Sequence, residues 1–143
     1  MARPLTHIRQ SNRTSGCGPA CVAMAAGVTE AEAIIAMFGW DRRVSLWTSW
    51  KRLRRGLRAF GVEEDSEKTK IKGWREIPTL SVVAMGKGTS SKGSVAHWVI
   101  YDPESNLVYD PAKEAPVVPT SLRRKPLAYL RFTPPDGAPA PRQ

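Results

Sequence analysis

The sequence predicts an α+β fold in which N-terminal helices pack on a C-terminal antiparallel sheet. Three observations predict it. Apolar residues recur at helical spacing up to about residue 60, period-two apolar runs take over after residue 70, and a short turn joins two of those runs. At 143 residues, 41% of them apolar and five of them Trp, the chain suits one domain with one core, over residues 1–133. Residues 134–143, "PPDGAPAPRQ", have nothing to bury and read as a disordered tail.

The first dozen residues are polar with scattered basic side chains and read as an extended, flexible arm. A helix is expected over 17–26, where Pro19 is tolerated because first-turn amides have no intrahelical acceptors. Cys17, Cys21, Met24 and Val28 fall four, three and four apart and mark its inward stripe. Thr29 caps a second helix, "EAEAIIAMF", which stops at Gly39. A third begins at Ser45 or Thr48, buries Leu46, Trp50, Leu53, Leu57 and Phe60, and ends at Gly61.

Four strands follow: "TLSVVAMG", "SVAHWVIYD", "NLVYDP" and "LAYLRF". Residues 86–94, "GKGTSSKGS", read as a flexible loop, and "PESN" makes the second and third strands an antiparallel hairpin. Alternation puts Ala96, Trp98 and Ile100 on one face and Val95, His97, Val99 and Tyr101 on the other. Trp98 is thereby expected in the core.

The net charge is +9, from 22 Lys and Arg against 13 Asp and Glu. This favours an acidic partner. The run "KRLRRGLR", residues 51–58, is amphipathic: its leucines read as core and its basic face as a docking surface for an acidic protein or a nucleic acid. Phosphate contact there would be nonspecific and salt-dependent, and no recognition motif accompanies it, so nucleic acid is disfavoured. Trp40, Trp47 and Trp50 cluster near this run, and an exposed one could anchor a partner. No run of 18 apolar residues is present, so no membrane insertion is expected. The beginning "MARPLTHIRQ" lacks an apolar signal region, so a cytoplasmic, reducing setting is the expectation.

The stretch "TSGCGPACVAMAAG" at 14–27 carries the chemical question. Cys17 reads as a nucleophile, a buried small hydrophobe, a metal ligand or half of a disulfide. Two cysteines four apart on one helix face have Cα atoms roughly 6 Å apart, within disulfide range, but the loop so closed is too small to stabilise much. Zinc requires three or four ligands, and this spacing lacks the usual knuckle, so no metal and no cofactor is expected. Both cysteines are read as thiols, with Cys21 in the core.

A cysteine at a helix entrance meets free backbone amides and the positive end of the dipole, which favour the thiolate. Gly16 and Gly18 are read as leaving the approach open, with the Cys17 N–H donating to an oxyanion. A nucleophile needs a base. Of two histidines, His7 lies in the arm and His97 in a rigid strand beside a loop. Asp110 ends the neighbouring strand and can fix the His97 tautomer, whereas Asp102 sits at the hairpin turn and caps it. Gln10 is the candidate second oxyanion donor, with Asn12 as its substitute.

At these residues the sequence resembles papain-like cysteine peptidases, most closely the C39-like branch. The resemblance rests on Gln10, "CGPA" at 17–20, "HWV" at 97–99 and Asp110–Pro111, in that order, over about 100 of the 143 residues. Gln10 precedes Cys17 by seven positions where the family usually has six. The resemblance implies a papain-like fold, Cys17 as nucleophile, His97 as general base and acid, Asp110 as its orienter and Gln10 as oxyanion donor. It implies cofactor-free hydrolysis of a peptide or isopeptide bond through a thioester, in a protein or peptide substrate with a glycine-rich cleavage site. Acyl transfer and deamidation pass through the same thioester. The rival expectation is a non-catalytic binding or structural protein that docks through residues 51–58.

Overall fold

The computed structural model describes residues 5–12, 15–39, 45–65, 67–86 and 95–135. The loop expected over 86–94 lies outside them except for Gly86. Trp40 and residues 136–143 of the expected tail also lie outside.

Among the described residues the fold is α+β, with three helices followed by an antiparallel sheet. Helix α1 spans Cys17–Ala26, α2 Glu30–Phe38 and α3 Trp50–Ala59. The strands are β1 (Glu63–Glu64), β2 (Thr69–Lys70), β3 (Ser81–Gly86), β4 (Val95–Asp102), β5 (Leu107–Tyr109) and β6 (Pro126–Thr133).

All ten residues of α1 are buried. The apolar stripe expected from Cys17, Cys21, Met24 and Val28 is thus too narrow a description. Small side chains at Ala20, Ala23, Ala25 and Ala26 let neighbours approach from every side, and a helix apolar all round belongs inside the core. Gly27 ends it in the left-handed region at φ 73°, where a side chain would be strained.

Helix α2 begins as expected. The Thr29 hydroxyl accepts from the Glu32 N–H while the Glu32 carboxylate accepts from the Thr29 N–H, a reciprocal cap. Helix α3 starts later than Ser45 or Thr48: Ser49 is its cap, accepting from the Arg52 N–H at 3.2 Å. Its buried face carries Leu53, Gly56 and Leu57. Gly56 lets Met37 of α2 come close, since a Cβ there would lie 2.6 Å from Met37 Cγ.

The sheet runs β1-β6-β3-β4-β5, with β2 also paired to β6. Met85 opposes His97 across β3 and β4, and the β4–β5 hairpin is antiparallel. Alternation divides the sheet into two apolar faces. Trp98, Ile100, Val82 and Leu130 meet the helices, whereas Val99, Tyr101, Val83 and Met85 meet the connections around Ile71, Ile77 and Leu122. Trp98 is core, as its strand parity predicts: its indole donates to the Thr48 carbonyl at 3.0 Å and meets Trp50 edge-on. No single helix among the described residues is long and apolar enough to cross a membrane.

The arm is extended, but it is docked rather than loose. Gln10 N–H donates to the Pro111 carbonyl at 2.8 Å, His7 Nε2 donates to the Lys113 carbonyl, and Arg9 pairs with Glu114. The segment after β5 offers free carbonyls that an extended chain can cap, a long-range partner that local composition does not announce.

Candidate active site

Cys17 is the first residue of α1, so its N–H has no acceptor within the helix. The turn before it is built by Asn12: its side-chain oxygen accepts from the Ser15 N–H at 3.0 Å and its carbonyl from the Gly16 N–H. Segment 45–49 braces the other side, with Leu46 N–H donating to the Ser15 hydroxyl at 2.8 Å.

This bracing corrects the expected role of the two glycines. A Cβ on Gly18 would fall 2.0 Å from Thr48 Oγ1, and one on Gly16 2.7 Å from the Asn12 carbonyl oxygen. They are small because protein packs against them, and they do not hold an approach open. Cys17 itself is 4% exposed and is not among the residues that line the groove beside His97.

His97 projects from the first half of β4, and Asp110 follows the last residue of β5. Hairpin pairing brings them together, with His97 Nε2 2.6 Å from Asp110 Oδ1. The Cys17 side chain acts on the same imidazole and helps to raise its pKa. With Nε2 engaged by the carboxylate, Nδ1 is the nitrogen left for sulfur. The expected His97–Asp110 pair is therefore formed, with Cys17 acting on the same imidazole. Asp102 behaves as expected at the turn, accepting from the Glu104 N–H and the Ser105 hydroxyl.

Burial disfavours the charged imidazolium of His97. The Asp110 hydrogen bond and then the Cys17 side chain outweigh that penalty and raise its pKa from 6.5 to about 9. Burial pushes the Asp110 carboxyl upward, but the bond to His97, the Ala112 N–H at 2.9 Å and the Lys113 charge bring it below 3.8. An imidazolium that keeps its proton at neutral pH is an acid available to a leaving group. Cys21 is the contrast: complete burial, then the charges of Cys17 and Asp110, push its thiol well above 9.0. Both cysteines are free, and no trio of His, Cys, Asp or Glu among the described residues is placed to hold a metal.

Gln10 reaches the site, but its amide is turned. It lines the same groove as His97 and Asp110, while its Nε2 donates to the Asn12 carbonyl at 2.8 Å. One Nε2–H remains, and the buried Gln10 Oε1 has no partner. Asn12, the expected substitute, is instead a turn-building residue: its Oδ1 and carbonyl are engaged before α1 begins, and it does not line the groove.

The groove has a volume of about 420 Å3. Trp47, 56% exposed, and the 111–124 segment contribute lining that the motif reading does not assign. The sequence signals were Trp47, one of the tryptophans noted as a candidate anchor, and the basic run "RRK" after a proline-rich stretch.

The expected basic docking face is largely tied down. Arg52 donates to the Met37 carbonyl and covers the Phe38 ring, Arg54 donates to the Asp65 carbonyl, and Arg58 pairs with Glu64 at 2.7 Å. Lys51 and Arg55 remain exposed. No protein-family model matches the chain, and no curated protein matches it in sequence.

Proposed function

We propose that this protein is a thiol hydrolase of papain-like fold that cleaves a peptide or isopeptide bond. The observation that carries the reading is the His97–Asp110 pair, at 2.6 Å, with the Cys17 side chain acting on the same imidazole. In the acylation step Cys17 Sγ attacks the substrate carbonyl carbon, and the C=O electron pair moves to oxygen. The Cys17 N–H and the remaining Gln10 Nε2–H are the donors available to that oxyanion. As the tetrahedral species collapses, the C–N bond breaks and His97 gives its proton to the departing amine. Neutral His97 then takes a proton from water, the hydroxide attacks the thioester, and the released sulfur recovers its imidazolium partner. Asp110 holds the imidazole throughout and takes no proton.

A glycine-rich cleavage site and a cytoplasmic, reducing setting belong to the same proposal, the latter supported by two free thiols. The docking alternative is weakened by the internal partners of Arg52, Arg54 and Arg58. Iodoacetamide labelling read by mass spectrometry tests the central claim. Cys17 should label much faster than Cys21 near neutral pH, His97→Ala should remove the difference, and glycine-terminated peptide aldehydes should protect Cys17. Equally slow labelling of both thiols would defeat the reading.

A further inference from the structure

The groove beside His97 is chemically lopsided. Among the described residues its lining includes Lys113, Arg123 and Arg124, and the only carboxylate there is Asp110, already bonded to His97. Lys113 and Arg123 are exposed, and neither forms an ion pair among the described residues. Trp47 adds a half-exposed aromatic surface to the same lining.

We propose that this groove binds an extended peptide carrying a carboxylate. Lys113 and Arg123 recognise the carboxylate, and Trp47 supplies apolar contact. That the bound peptide is also the substrate rests on the hydrolase reading, but the binding claim does not. Two cations at partly exposed positions are worth about tenfold in affinity together, and salt weakens them.

The test uses the full chain as Cys17→Ala and fluorescence anisotropy at low salt. The probes are short glycine-rich fluorescent peptides with amidated ends, differing only in Glu, Gln or Lys at central positions. The Glu peptide should bind about tenfold tighter than the Gln peptide, and the Lys peptide weakest. A Gln peptide with a free C-terminus completes the set: binding as tight as the Glu peptide assigns the recognised carboxylate to a chain end, and weak binding assigns it to a side chain. Lys113→Glu with Arg123→Glu should invert the order. Lys51→Glu with Arg55→Glu changes net charge equally on α3 and should preserve it. Arg123→Gln alone gives the same readout if the double reversal does not fold.

Equal affinity for the Glu and Gln peptides would overturn the proposal. So would loss of the preference by equal amounts in both charge-reversal pairs, which would assign it to overall charge. Iodoacetamide labelling of the wild-type chain separates the two readings. A reactive Cys17 without carboxylate preference sinks this proposal alone, and an inert Cys17 with the preference intact sinks the hydrolase alone.

Discussion

Replacing Asp110 by Asn keeps the shape of the side chain and removes its charge. In the native protein burial works against the His97 imidazolium, and the Asp110 hydrogen bond followed by Cys17 reverses the outcome, from 6.5 to about 9. That rise corresponds to roughly 3 kcal/mol between the two protonation states. Because the folded value is the higher one, the stabilisation is complete below 6.5 and is lost as pH rises through about 9. Near neutral pH most of it, about 2–3 kcal/mol, is in force. The lowered Asp110 pKa is the same interaction seen from its partner and is counted once; on that side stability falls as pH drops below 3.8. The assay is a histidine NMR titration, simple here because the chain has two histidines and His7→Gln assigns them. In Asp110→Asn the His97 midpoint should fall to 6.5 or lower, because burial then acts against a weaker partner. Urea unfolding near neutral pH should show a loss of about 2–3 kcal/mol, and the alkaline decline centred near 9 should disappear. Hydrolysis should drop roughly a hundredfold or more. A wild-type His97 that titrates near 6.5, or a midpoint that Asp110→Asn leaves in place, would refute the reasoning.

Gly18→Ala drives a Cβ to 2.0 Å from Thr48 Oγ1 and should cost about 1–3 kcal/mol in urea unfolding. Adding Thr48→Gly should recover much of that loss. Thr29→Ala removes the reciprocal cap of α2 and should lower stability by about 1 kcal/mol, with Cys17 labelling unchanged. Gln10→Ala should cut peptide hydrolysis by roughly a hundredfold while leaving iodoacetamide labelling near wild type, because alkylation forms no oxyanion. Loss of labelling in the same proportion would mean that Gln10 only supports the fold.

The elements that were legible in the sequence are those whose signals are local. The Thr29…Glu32 pair caps α2 wherever that helix sits, and period-two alternation across Val95–Asp102 puts Trp98 and Val99 on opposite faces in any sheet. Spacing likewise brings His97 and Asp110 together, because a tight turn in one hairpin leaves few registers. Strands β1 and β2 escaped notice for the complementary reason. They are two residues each, Glu-Glu and Thr-Lys, and exist only because β6 offers them an edge. The two glycines beside Cys17 show how a correct residue can carry a wrong cause. From sequence, absence of a side chain reads as open space, but Thr48, thirty positions later, fills it at Gly18, and the Asn12 carbonyl fills it at Gly16.

The N-terminal arm carries the same lesson into the site. Its polarity resembles that of a loose segment, yet three of its residues grip the chain from Pro111 to Glu114, directly after Asp110. The Asp110 carboxylate is therefore held from two sides: by the Ala112 N–H within its own turn, and by an arm that fixes where this turn lies. Gln10 is the hinge of that arrangement, since its backbone anchors Pro111 while its side chain faces the groove. One residue thus positions the orienting carboxylate and offers a donor to the reaction, which explains why the side chain, and not the backbone, must be varied to separate the two roles.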